Sequence, residues 1–228
     1  MPQILFTHKI KSKHNKTLKE AKFGFESIPF IETRIKDFDV NIINDEKADA
    51  WIFTSKKAVK SVGKKMDQLT VPKLVFAVGS STKDRLAELG INAIIPNQFT
   101  SKSLAYKISE YSIDSCIYFR GNMTASDLSD ELVEINISTS EVEVYETLFS
   151  SKKVNVKDYD AVVFMSPSAF ISFCEKNDPE ELKTVFCIGS TTAEAVKRSY
   201  QRLVITPENF TFAELVKTIN QKYKNVIS

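Results

Sequence analysis

The chain has 228 residues, 43% of them apolar, and a net charge of +2 with both signs mixed along its length; this is the composition of a globular protein of one large or two small domains, without the basic field that nucleic-acid binding needs. No apolar stretch approaches membrane-spanning length, and the N-terminal lysines follow the first apolar run, where a signal peptide would have them precede it. Cys116, Cys174 and Cys187 lie in apolar runs without CxxC spacing and away from His8 and His14, which predicts reduced core thiols in a cytoplasmic protein with no metal and no membrane partner.

The elements alternate along the chain. Residues 4–7 predict a strand, and the basic stretch from Lys9 to Lys22, six lysines against one Glu, predicts a solvated helix face. Further apolar runs fall at 50–54, 73–78, 93–95, 116–119, 137–145, 161–165, 184–188 and 203–205. Most are continuously hydrophobic, as strands buried on both faces of a parallel sheet are. Between them, Ala58/Val62/Met66/Leu69, Leu104/Ile108/Tyr111, Leu128/Leu132, Val196/Tyr200 and Leu215/Ile219/Tyr223 recur at helical spacing. Ser81 with Asp84, Thr191 with Glu194 and Thr211 with Glu214 fit the capping-box spacing, and Ser166 before Pro167 predicts a cap followed by a first-turn proline. Strands alternating with such helices predict doubly wound α/β domains.

The chain also repeats itself. Asp49-Ala50-Trp51-Ile52-Phe53-Thr54-Ser55 returns as Asp160-Ala161-Val162-Val163-Phe164-Met165-Ser166. Ala77-Val78-Gly79-Ser80-Ser81-Thr82 returns as Cys187-Ile188-Gly189-Ser190-Thr191-Thr192, and Pro96-Asn97-Gln98-Phe99-Thr100 as Pro207-Glu208-Asn209-Phe210-Thr211, at an offset of 110 or 111 residues. Ile4-Leu5-Phe6-Thr7 likewise matches Ile117-Tyr118-Phe119-Arg120, so the repeats span about 1–115 and 116–228. A period this long marks a domain-sized unit, and the duplication predicts two similar lobes with a ligand cleft.

Four turns share one layout, in which a buried strand ends in small polar residues and a helix begins at once. They hold Thr54 and Ser55; Gly79, Ser80, Ser81 and Thr82; Ser166, Pro167 and Ser168; and Gly189, Ser190, Thr191 and Thr192. In open α/β sheets ligands bind beyond the carboxyl ends of the strands, where helix N-termini receive anions. These residues suit a large ligand with several dispersed carboxylates or phosphates; equally, each turn alone fits plain helix capping. Arg120-Gly121 at a strand end fits either a carboxylate contact or a surface arginine. Strand alternation would put Glu141, Glu143 and Tyr145 on one face. GxGxxG, P-loop, GxSxG and HExxH patterns are missing from the sequence.

Taken in order, several of these segments resemble the uroporphyrinogen-III synthase family over nearly the whole chain. They are the Phe-Thr-Ser turn at 53–59, Ala77-Val78-Gly79 with Thr82, Phe119-Arg120-Gly121, Val144-Tyr145-Glu146-Thr147, Ser166-Pro167-Ser168 and residues 188–193. Two positions depart from the family pattern: His8-Lys9 stands where Arg-Pro is usual, and Ser190 where Pro is common. The resemblance implies two flavodoxin-like, doubly wound parallel-sheet lobes joined by a two-stranded β connector. One lobe would be discontinuous (1–34 plus 150–228), the other inserted (38–145), with connector strands near 33–39 and 145–151. It implies dehydration and cyclisation of linear hydroxymethylbilane to uroporphyrinogen III, with ring D inverted and no cofactor. It implies that Tyr145 helps the hydroxyl depart, while the four turns with Arg120 and Gly121 bind the substrate. It further implies a monomer that engages no nucleic acid and leaves room for transient contact with hydroxymethylbilane synthase. The competing expectations are a non-catalytic two-lobed binder of a polyanionic metabolite and, behind it, a nucleotide enzyme, disfavoured because only six glycines occur and none in a phosphate-loop pattern.

Overall fold

The computed structural model describes residues 1–123 and 127–224. In chain order the elements are β1 (Gln3–Phe6), α1 (Asn15–Leu18), β2 (Gly24–Ser27), β3 (Ile31–Ile35), α2 (Val40–Glu46), β4 (Ala50–Phe53), α3 (Lys56–Val62), β5 (Leu74–Ala77), α4 (Ser80–Ala87), α5 (Ser101–Ser109), β6 (Ser115–Gly121), α6 (Asp127–Glu134), β7 (Ser138–Phe149), β8 (Ala161–Phe164), α7 (Pro167–Cys174), β9 (Val185–Cys187), α8 (Ser190–Lys197), β10 (Val204–Ile205) and α9 (Phe212–Lys222). The chain divides into two compact units, Met1–Glu32 with Leu148–Ser228, and Thr33–Thr147.

The first unit holds a parallel sheet of order β10-β9-β8-β1-β2. Its central strands β1, β8 and β9 are apolar on both sides because both sides are covered. Phe170, Phe173 and Val196 of α7 and α8 pack with Leu5, Val162 and Phe164 on one face. Leu18 of α1 and Phe212, Leu215 and Ile219 of α9 pack with Ile4, Phe6 and Val163 on the other. The second unit holds a sheet of order β3-β7-β6-β4-β5, and Ile94 adds a parallel bridge to Phe76 of β5. Here α2, α3 and α4 cover the face of Trp51, Phe53 and Phe119, while α5 and α6 cover that of Ile52, Phe76 and Tyr118. Both units are therefore doubly wound.

Matched through the sequence repeat, the two sheets have the same spatial order: β10, β9, β8, β1 and β2 correspond to the Ile94 segment, β5, β4, β6 and β7. Their chain orders differ. Relabelled by appearance in the chain, the first unit reads 2-1-3-4-5 and the second 3-2-1-4-5, with β3 added at its edge. Each repeat sends its opening strands into the sheet built from the rest of the other repeat. The units are circular permutations of one architecture.

Several local expectations need correction. The basic stretch after β1 forms only a 3-10 turn (Ser12–His14) and the single-turn α1, because Leu18 alone of that stretch is buried and no apolar stripe holds a longer helix down. The stripe Ala58/Val62/Met66/Leu69 is broken: α3 ends at Val62 and a 3-10 segment (Gly63–Gln68) follows, with Lys65 out of helical geometry. Gly63 itself keeps helical backbone and lets Leu89 pack close, since a Cβ there would stand 3.0 Å from Cδ1 of Leu89. Helices α4 and α8 start at Ser80 and Ser190, capped by Gly79 and Gly189 and not by Ser81 and Thr191. Thr82 and Leu86, four residues apart and both buried, set that start by facing the core together.

Candidate functional site

In each sheet the order of strands along the chain reverses between two adjacent central strands, β1 and β8 in the first unit and β4 and β6 in the second. A ligand is expected beyond the carboxyl ends there. All four hydroxyl-bearing turns lie at strand carboxyl ends, two after β4 and β8 at the reversal and two after the adjoining β5 and β9, but they are built in two ways. At α3, Ser55 Oγ accepts from the Lys57 N–H at 3.0 Å; at α7, Ser166 Oγ accepts from the Ala169 N–H at 3.3 Å and lies 3.1 Å from Ser168 Oγ. These two serines close their own helices, and Pro167 fits the first turn because it needs no N–H partner. At α4 and α8 the capping residue is glycine and no side chain caps the helix. In the first turns Ser80, Ser81, Ser190 and Thr191 are all exposed, while Thr82 and Thr192 turn inward, each 4% exposed. A first turn without its own cap keeps backbone donors for an anion.

The second unit adds a cluster around β4, β6 and β7. Thr54 Oγ1 and the Tyr118 hydroxyl are 2.8 Å apart. Arg120 is not an open carboxylate receptor: its Nη1 pairs with Glu141, and Ser129 Oγ donates to the same carboxylate. On β7, Glu143 pairs with Arg120 of β6 but Tyr145 pairs with Gly121, so a bulge adds one residue at Val144. The Val144 carbonyl accepts from the buried Ser61 hydroxyl and from the Lys36 N–H at 3.0 Å. The bulge overturns the alternation expected for Glu141, Glu143 and Tyr145. Tyr145 moves to the opposite face and packs with Phe53, Ala58 and Phe119, leaving the glutamates behind. Its ring is 8% exposed and lies across Gly121, where a Cβ would come within 2.4 Å of Cζ. The Lys57 ammonium stands 5.6 Å from the ring centroid. Among the described residues the Tyr145 hydroxyl has no hydrogen-bond partner.

In the first unit the position matching Gly121 is His8. Its two ring nitrogens are buried without a hydrogen-bond partner among the described residues. Burial, with the positive neighbourhood of His14 and Lys11, lowers its pKa to about 4. The preceding Thr7 donates its hydroxyl to the Val163 carbonyl at 2.7 Å, tying β1 to β8. Burial also pushes the Cys116 and Cys187 thiols up to about 11 and about 12, so neither is a nucleophile at neutral pH. No group of three or more metal-ligating side chains occurs among the described residues. A polar cavity of about 570 Å³ in the second unit, lined by Asp37, Phe38, Lys65 and Gln68, includes none of the predicted site residues.

A family model described as uroporphyrinogen-III synthase HemD matches residues 12–217. The chain belongs to that family. As a uroporphyrinogen-III synthase family member it is an enzyme of haem biosynthesis. Its fold is similar to a mutant uroporphyrinogen III synthase from the extreme thermophile Thermus thermophilus, with 15% identity, TM-score 0.69 and coverage of 99% of this chain and 100% of the other. It is similar also to the synthetase of Helicobacter pylori 26695, with 17% identity, TM-score 0.68 and coverage of 97% and 100%. No curated protein matches the sequence. No described helix is long and apolar enough to cross a membrane.

Sequence reasoning missed Lys57 and Tyr118 as neighbours of the family's motif residues, and noted His8 only as a departure from the family pattern. Nothing in composition signals the first two, since each acquires its place only when β4, β6 and α3 come together. It also passed over Phe99 and Phe210, although both stand inside the repeat.

Proposed function

We propose that this chain is a hydro-lyase that closes linear hydroxymethylbilane to uroporphyrinogen III, releasing water and inverting ring D. The family match, which takes in both units, supports this reading above any other observation. The substrate carries acetate and propionate arms on every pyrrole ring. The uncapped first turns Gly79-Ser80-Ser81-Thr82 and Gly189-Ser190-Thr191-Thr192 are assigned to those carboxylates, since their donors are not taken by side-chain caps of their own helices. Thr54, Ser55, Ser166, Pro167 and Ser168 shape the neighbouring turns. Gly121 makes room for Tyr145, and Arg120, held by Glu141, positions the end of β6.

Tyr145 is assigned the acid role. The C–O bond of the hydroxymethyl group breaks as the pyrrole nitrogen pushes and the Tyr145 hydroxyl donates to the departing oxygen, so that water leaves. Ring D attacks through its substituted carbon, forming a spiro intermediate whose rearrangement closes the inverted ring, and the proton lost from ring D restores the phenol. The open tetrapyrrole also cyclises unaided to the uninverted isomer, so orientation is the main task, and positioning can supply about 7–11 kcal/mol. The test generates hydroxymethylbilane in situ, adds the protein, oxidises, and resolves the porphyrin isomers by chromatography. Isomer III should predominate; an unchanged spontaneous ratio rejects the proposed reaction.

A further inference from the structure

Twelve large apolar side chains are exposed among the described residues, and Phe99 and Phe210 alone among them are equivalent in the repeat. They are 59% and 58% exposed. Each sits one residue before the threonine that caps the following helix, Thr100 for α5 and Thr211 for α9, in matching backbone conformations. An apolar residue there often packs on the fourth helical residue, here Leu104 or Leu215. A ring serving only that purpose would be covered, and these are not.

The rings instead lie against the glycines that begin the uncapped turns. A Cβ at Gly79 would stand 3.1 Å from Cγ of Phe99, and one at Gly189 would stand 3.1 Å from Cγ of Phe210. The glycine backbone thus backs each ring, while more than half of the side chain stays open. Beyond each glycine come two exposed hydroxyl residues and the first turn of a helix that no side chain caps. An open aromatic surface beside an anion-receptive turn, built twice, matches a ligand made of planar heteroaromatic rings with short carboxylate arms. A polycarboxylate without rings would leave the aromatic half of the arrangement idle.

We propose that Phe99 and Phe210 are substrate-binding residues, each receiving one carboxylated pyrrole ring by stacking while the adjoining turn takes its carboxylates. This rests on the tetrapyrrole reading above and names how the rings themselves are recognised. The full-length protein is titrated with uroporphyrin, the stable oxidised octacarboxylate, followed by its Soret absorbance, with citrate as a ringless competitor. F99L and F210L keep apolar bulk but lose the aromatic face. Each should weaken uroporphyrin binding and raise KM roughly two- to tenfold, with citrate competition unchanged, whereas F99W and F210W should stay within about twofold of wild type. Wild-type affinity in both leucine variants overturns the proposal. So does an equal loss for citrate, which would mean a damaged turn, or failure of the unmodified protein to bind uroporphyrin. If the unmodified protein binds uroporphyrin but forms no isomer III, the catalytic reading fails, and the leucine variants still decide the stacking role.

Discussion

The ring of Tyr145 occupies space that any side chain at Gly121 would fill, so the two residues act as one unit. Replacing Tyr145 with Phe removes the hydroxyl and keeps the packing; kcat should fall roughly tenfold to a hundredfold with KM largely unchanged, at the low end for a general acid because the pyrrole nitrogen also drives departure. Gly121→Ala should reproduce that loss with the hydroxyl still present, since the ring must move, and should cost about 1–3 kcal/mol in urea unfolding. Equal turnover in Gly121→Ala and wild type would show that the ring's place does not matter. His8 governs a different property. Its folded pKa, about 4, lies below the ordinary 6.5, so between these values the unfolded chain binds more protons and stability rises with pH. The burial cost of charging it is absent above pH 6.5 and grows as pH falls towards 4, up to about 3 kcal/mol. His8→Phe, placed among Phe6 and Phe212, should reduce the difference between urea midpoints measured at about pH 7.5 and about pH 5. An undiminished difference would assign the slope to other groups.

At the scale of elements, the two kinds of helix start should separate by mutation. Ser55→Ala and Ser166→Ala each delete a cap and should cost about 1 kcal/mol. Ser80→Ala and Ser190→Ala cap nothing and should change stability by less than about 0.5 kcal/mol, which equilibrium urea unfolding of the four variants resolves. The sequence marked elements well where burial is two-sided. Trp51-Ile52-Phe53 and Val162-Val163-Phe164 form continuous apolar runs because helices cover both faces of β4 and β8. Strand β2 escaped notice because Gly24-Phe25-Glu26-Ser27 lies at a sheet edge, partly exposed throughout, with no apolar run. Helix α2 escaped because only Ile43 of its seven residues is buried. Of the site, the hydroxyl turns were apparent from their repetition, yet which serines cap and which do not was hidden. Capping-box spacing pointed to Ser81 and Thr191, where the buried faces of Thr82 and Thr192 start each helix earlier. The bulge at Val144 had no sequence signal either, because an inserted residue changes the pairing partner and not the composition.

At the scale of the whole molecule, the boundaries of the two units are Glu32/Thr33 and Thr147/Leu148. Within the first unit the segments beside those boundaries already meet, since the Ser150 N–H donates to the Phe30 carbonyl at 2.8 Å. Deleting residues 33–147 and joining Glu32 to Leu148 through a short glycine linker should leave a folded protein with the β10-β9-β8-β1-β2 sheet intact. Its urea transition should be cooperative, with a smaller denaturant slope in proportion to the surface it exposes. A non-cooperative transition would show that the first unit depends on the second for its fold.

Because the opening strands of each repeat are lent to its twin, a nick near Asp114, at the seam of the duplication, would not release two self-sufficient pieces. One piece would carry β1 and β2 with β3, β4 and β5, the other β6 and β7 with β8, β9 and β10, each a mixture of incomplete ladders. Apart, both would expose unpaired strand edges and tend to precipitate; together, each would complete its neighbour. A duplication that looks like two beads on a string is, in its backbone pairing, a clasped couple.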